Sequence, residues 1–189
     1  MLNNTSGKEF VQIRCVVLGD CAVGKTTIVN NILTDADDSG LPRLGGCYLS
    51  RGDVDFKLEI WDTCEGESYE NITRVACKGS QICICVFDVT DDSTYASLDT
   101  HIKLYKKLNS GKNCQIVVIA NKVDKNDWAA NNEIYYSGLS EYDLYFTSKN
   151  SDQKELMTTI CAKYHEKFAT SVIKPTKSGF LSFFVGKRK

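Results

Sequence analysis

The chain has almost no net charge, no long apolar run and few histidines. A formal charge of -1 over 189 residues, with a pI near 6.1, sets up no global field for a phosphate backbone, so no nucleic-acid partner is expected. No apolar run approaches the roughly 20 residues of a membrane-crossing helix. Met1 to Lys8 is polar and lacks a signal-peptide core. A soluble cytoplasmic protein is the expectation. His101 and His165 are the only imidazoles, which leaves a histidine–cysteine metal centre few ligands. The nine cysteines are odd in number and scattered. Cys15, Cys83, Cys85 and Cys161 lie in apolar runs, as reduced cysteines do when they serve as small core residues. There is no internal repeat. The length suits one domain over 9–170, with a tail over 171–189, and is enough for a core without covalent staples.

What is present is concentrated near the start. Gly19-Asp20-Cys21-Ala22-Val23-Gly24-Lys25-Thr26 fits G-x-x-x-x-G-K-[ST] at every fixed position. Ile13 to Leu18 reads as a buried strand before it, and Ile28, Val29, Ile32 and Leu33 recur at helical spacing after it. Strand, glycine loop and helix start form the context this motif needs. Backbone N–H groups from Cys21 to Gly24 can wrap a phosphate, helped by the positive end of the helix that carries Thr27. Lys25 would reach the β- and γ-phosphates, and the Thr26 hydroxyl would ligate Mg²⁺. The bland alternative is an ordinary glycine turn.

Further along, apolar runs alternate with helical patterns, which predicts an α/β fold with a mainly parallel sheet. Thr34 to Gly46 is polar and irregular, a candidate functional loop. Tyr48–Arg51 and Asp55–Trp61 flank Gly52-Asp53, which predicts a hairpin and one antiparallel edge strand. Asp62 directly follows a strand and is the expected second acidic Mg²⁺ contact. Gln81 to Val89 reads as a central strand, and Ser93 to Leu108 as a helix with Leu98, Ile102, Tyr105 and Leu108 inward. Cys114 to Ala120 is the next buried strand. Tyr142 to Phe146 is the last one, followed by a helix from Asp152 to Phe168.

The strand at Cys114 to Ala120 leads into Asn121-Lys122-Val123-Asp124. Open α/β sheets bind ligands at such strand ends. A carboxylate at Asp124 can accept from the N1–H and exocyclic amine of guanine. Adenine offers no such pair and would leave a buried carboxylate unsatisfied, a discrimination of about 10⁴-fold or more. The Lys122 stem can lie along the base. The alternative for this short motif is a solvated loop.

With both motifs in order, the chain resembles a small GTPase of the Ras superfamily, nearest the Rab branch. Lys57-Leu58-Glu59-Ile60-Trp61-Asp62-Thr63 and Val86-Phe87-Asp88-Val89-Thr90 carry that likeness, which spans about Ile13 to Ala169. The resemblance implies a G domain: a six-stranded, mostly parallel sheet with five helices on its two faces. It implies GTP or GDP and Mg²⁺ as ligands. Effectors and regulators would bind through switch I (35–47) and switch II (62–79), in vesicle traffic. Thr147-Ser148-Lys149 would be the counterpart of Ser-Ala-Lys, whose backbone meets the guanine carbonyl.

The sequence departs from the family at both switches. Pro42-Arg43-Leu44-Gly45 stands where the family has Pro-Thr-Ile-Gly. Arg43 cannot ligate metal, but it can pair with phosphate oxygens. Ser39 is the nearest substitute hydroxyl, and no aromatic residue lies between Thr26 and Cys47 to cover the base. Asp62-Thr63-Cys64-Glu65-Gly66-Glu67 replaces Asp-Thr-Ala-Gly-Gln-Glu. The water-orienting glutamine becomes Gly66, which has no side chain, so impaired hydrolysis is expected. Glu65 brings negative charge toward the phosphates. A shift of one residue would instead let Gly66 replace the lost glycine. Three alternatives stay open: a competent GTPase using Glu65 or Glu67, an interaction module that nucleotide only stabilises, and, more distantly, a P-loop ATPase or kinase. No cysteine follows Cys161, so C-terminal prenylation is not expected. The tail Gly179 to Lys189 is apolar and then basic. It is read as packing on the domain, as touching an endomembrane weakly, or as the start of a further segment.

Overall fold

A computed structural model describes residues 8–33, 41–64, 66–126 and 133–169, with the backbone alone at Glu67, Glu133, Ile134, Tyr135 and Ala169. The tail beyond residue 169, and Ser39 and Glu65, lie outside the described residues.

The strands are β1 (Glu9–Leu18), β2 (Arg43–Arg51), β3 (Val54–Asp62), β4 (Ile82–Asp88), β5 (Gln115–Asn121) and β6 (Asp143–Phe146). They form one six-stranded sheet in the order β2-β3-β1-β4-β5-β6. Only β2 runs antiparallel, joined to β3 by the hairpin at Gly52. The α-helices are α1 (Lys25–Leu33), α2 (Glu70–Cys77), α3 (Asp92–Leu108) and α4 (Gln153–Ala169). Between β5 and β6 the described chain forms a short 3₁₀ turn at Val123–Lys125 and a 3₁₀ stretch at Glu133–Leu139. Four α-helices are among the described residues, where the family resemblance implies five helices.

Alternation along β1 explains the layers. Ile13, Cys15 and Val17 face one side and pack with Ile28, Val29 and Ile32 of α1 and Met157, Ile160 and Cys161 of α4. Val16 and Leu18 face the other side and pack with Leu98, Ile102 and Tyr105 of α3 and Ala76 of α2. A sheet covered on both faces needs continuous apolar strands, and every residue of β4 is buried. Each fully buried Ile, Leu or Val contributes roughly 1.5–3 kcal/mol. The cysteines behave as core residues: burial pushes the Cys77 and Cys161 thiols up to about 12. Cys83 and Cys85 lie on one face of β4 with their sulfurs 3.6 Å apart.

Two boundaries differ from the sequence reading. The segment read as loop up to Gly46 is strand from Arg43 onward, because β2 pairs with β3 as far as Arg43 opposite Asp62. A Cβ at Gly45 would lie 2.2 Å from Leu33 Cδ1, so β2 packs closely against the end of α1 there, and a side chain at this position would make the Leu33 side chain shift. The helix α2 has no range in the sequence reading; it is amphipathic, but only Ala76 and Cys77 are buried, while Ile72 and Val75 are exposed.

Candidate functional site

All five parallel strands end on one rim of the sheet. Leu18, Asp62, Asp88, Asn121 and Phe146 are their last residues, so the loops that follow them share one edge.

The chain leaves β1 into the loop Gly19–Gly24. Gly19 has φ +143°, and a Cβ there would sit 2.2 Å from the Val86 carbonyl oxygen. Gly24 has φ +104°, and its Cβ would sit 2.4 Å from Asn121 Nδ2. Both motif glycines are therefore required by backbone conformation and by close approach. Ala22 adopts φ +60° with a side chain, at a cost of about 1 kcal/mol. Lys25 opens α1 and is 7% exposed. Its ammonium donates to the carbonyl oxygens of Gly19 (2.6 Å) and Asp20 (2.7 Å), which hold the charge over the loop.

Two cavities meet at Gly24 and Thr27. The larger, 350 Å³, is lined by Cys21, Ala22, Lys25, Thr26, Thr63 and Cys64 among others. The Thr63 hydroxyl donates to the Val17 carbonyl (2.6 Å), which fixes the end of β3 against β1. The second, 170 Å³, is lined by Asn121, Lys122, Asp124, Ser148, Lys149 and Gln153 together with Ile28 and Asn31 of α1. One cavity carries a lysine, loop amides and hydroxyls. The other is narrower and flanked by amide and carboxylate groups.

The second motif is tied to the first. Asn121 Nδ2 donates to the Val23 carbonyl (2.9 Å), and its Oδ1 accepts from the Thr147 hydroxyl (2.9 Å). Lys122 stands in the left-handed region at φ +64°, and its ammonium donates to the Ala22 carbonyl at 2.8 Å and pairs with Asp88. Asp88 is 8% exposed and accepts from the Thr90 N–H (2.9 Å) and hydroxyl (2.7 Å). Burial alone would raise its pKa. The hydrogen bonds from Lys122 and Thr90 outweigh that and hold the carboxyl below its ordinary value.

The sequence-derived site residues divide clearly. Cys21, Ala22, Gly24, Lys25, Thr26 and Thr27 line the larger cavity, while Val23 is buried and serves through its carbonyl. Lys122, Asp124, Ser148 and Lys149 line the smaller one. Asp124 is exposed in the Val123–Lys125 turn, at the mouth of that cavity. Thr147 is 1% exposed and orients Asn121 instead of facing the cavity. The Ser148 N–H is taken by the Ser151 hydroxyl (2.9 Å), so a ligand carbonyl must compete for it or use another N–H. Arg43 lies opposite Asp62 in the hairpin with its guanidinium on Asn30 Oδ1, and neither cavity is lined by it. Asp88 and Gln153 were missed. Asp88 had a legible signal, since like Asp62 it is a carboxylate that ends a buried strand. Gln153 had none, because a glutamine at a helix start looks like surface.

A Mg²⁺ ion needs hard oxygen donors. Thr26 faces the larger cavity from the first turn of α1, and Asp62 is a 1% exposed carboxylate at the end of the neighbouring β3. That donor set fits the ion. Cys64, two positions beyond Asp62, carries a thiol pushed up first by burial and then by the Asp62 carboxylate.

Residues 14–173 match the model of the Ras family. The chain belongs to the Ras family. Among its relatives is a probable Rab-related GTPase of Acanthamoeba polyphaga mimivirus, 26% identical over 170 residues, covering 86% of this chain and 79% of the relative. The mouse Ras-related protein Rab-7b is 30% identical over 147 residues, 74% of each chain. A putative Ras-related protein Rab-5B of Dictyostelium discoideum is 28% identical over 164 residues, 82% of this chain and 76% of the relative. The protein is thus a Rab-like small GTPase by descent, and its sheet of five parallel strands and one antiparallel strand is that of a Ras-like domain. Within this family member, Gly66 is exposed at φ +123°, and a Cβ there would lie 3.8 Å from Tyr69 Cδ2. No described helix is long and apolar enough to cross a membrane.

Proposed function

We propose that this chain binds GTP and GDP with Mg²⁺, hydrolyses GTP slowly or not at all, and works by presenting its switch surfaces to partner proteins in vesicle traffic. The observation that carries the reading is the pair of cavities joined at Gly24 and Thr27. One offers Lys25, Thr26 and loop amides to phosphates. The other offers Asn121, Lys122 and Asp124 to a guanine edge. Thr26 and Asp62 would hold Mg²⁺, which supplies charge neutralisation on the phosphate oxygens. Lys25 is already drawn over the loop by two carbonyls, so binding needs little rearrangement of its stem. Slow hydrolysis rests on Gly66, which has no side chain to orient a water. An endomembrane is the proposed place of action, by the Rab likeness.

Melting with GTP, GDP and ATP tests the nucleotide class. A ligand that binds only the folded state adds about 2.7 kcal/mol at 100 times its Kd. GTP and GDP should raise Tm and ATP should not. Equal shifts with all three would overturn guanine recognition.

A further inference from the structure

The P-loop is gripped from a side that neither motif accounts for. Asp20 points its carboxylate at α3. Ser97 donates its hydroxyl to Asp20 Oδ2 at 2.5 Å, and His101 Nε2 meets Oδ1 at 2.8 Å. A carboxylate only accepts, so Nε2 carries the proton. Ser97 and His101 are four residues apart on α3 and therefore lie on one stripe. The contact is sheltered, with side-chain exposures of 18% for His101 and 24% for Asp20.

The same residue holds the phosphate-binding lysine, because the Asp20 carbonyl accepts from Lys25 Nζ at 2.7 Å. Its backbone thus positions Lys25 while its side chain is fastened to α3. α3 is itself a firm anchor. Asp91 caps its first turn by accepting from the Ser93 N–H (3.0 Å), and the Thr94 hydroxyl accepts from the Asp88 N–H (3.0 Å) at the end of β4. On the other flank, Lys122 and Asn121 hold the carbonyls of Ala22 and Val23. The loop is clamped at both ends. The α3 side also turns a negative charge away from the place where phosphates would lie and meets it with two donors.

We infer that Ser97 and His101 are positioning residues that clamp the P-loop through Asp20 and slow the release of bound nucleotide. This rests on the guanine-nucleotide reading above. Without His101 the carboxylate is free to turn toward the phosphates, and the backbone that holds Lys25 loses an anchor.

The test is release of a fluorescent N-methylanthraniloyl-GDP, chased with excess GDP, from the full chain with Mg²⁺. His101→Ala should release it about tenfold faster, the size of losing one hydrogen bond to a charged group. His101→Gln, which restores an N–H donor at similar reach, should recover most of the wild-type rate. Ser97→Ala should accelerate release several-fold, and it carries the comparison if His101→Ala does not fold. Release at wild-type rates from His101→Ala, or from Ser97→Ala where His101→Ala is unfolded, overturns the clamp. So does a His101→Gln variant as fast as His101→Ala, since that would make the histidine mere packing. A wild-type chain that retains no labelled GDP overturns the nucleotide reading itself, and the clamp with it.

Discussion

Gly24→Ala strikes the joint between the two motifs. Two penalties can be assigned from the structure. The backbone at φ +104° lies where residues with a Cβ are strained by about 1–3 kcal/mol. The new methyl would also lie 2.4 Å from Asn121 Nδ2, so that side chain must leave the Val23 carbonyl. Losing that buried hydrogen bond costs about 1 kcal/mol more. A total of about 2–4 kcal/mol lowers Tm by roughly 5–15 °C for a chain of this size. The assay is thermal melting followed by circular dichroism, with Gly52→Ala as control. Gly52 has φ +58° but nothing within 4 Å of an added Cβ, so it should lose about 1 kcal/mol from conformation alone. In an Asn121→Ala background the clash disappears, and Gly24→Ala should then cost about 1 kcal/mol less. If Gly24→Ala melts no lower than Gly52→Ala, or costs the same with and without Asn121, the joint does not work as described.

Other substitutions probe separate parts of the site. Ala22→Gly relieves a left-handed alanine at φ +60° and should raise Tm by a few degrees, a gain of up to about 1 kcal/mol; a drop would contradict the strain. Asp88 has a depressed carboxyl, so its contribution is present above its unfolded pKa and is lost as pH falls through the lower folded value. Melting from about pH 5 down to pH 2 should therefore show a shallower acid loss in Asp88→Asn than in the wild type, and parallel curves would contradict that. Asp124→Ala should reduce the preference for GDP over ADP by at least about 100-fold in competition binding. An unchanged preference would place base recognition elsewhere.

The alternation of apolar strands and helices was readable because the central strands carry unbroken apolar runs, as over 82–87 and 116–120. The two motifs were readable because phosphate and base recognition demand fixed residue types at short spacing. What stayed hidden depends on contacts between distant segments. Arg43 reads as a phosphate ligand until the hairpin register sets it across from Asp62 and beside Asn30. Thr147 reads as a base contact until its hydroxyl is seen to orient Asn121. The hold of Ser97 and His101 on Asp20 spans about 80 residues of sequence, and nothing local in α3 marks it. The edge strand began earlier than its composition suggested, because pairing with β3 satisfies the backbone of Arg43 to Gly46 where side chains contribute little.

The most direct measurement is single-turnover hydrolysis by the purified chain loaded with GTP and Mg²⁺. With Gly66 in place of a water-orienting side chain, the expected result is GTP that persists for many hours, and Gly66→Gln should hydrolyse faster than the wild type. GDP appearing in the unaltered chain at an ordinary intrinsic rate, about 10⁻⁴ s⁻¹, would contradict the proposal of impaired hydrolysis and direct mutagenesis to Glu65 and Glu67.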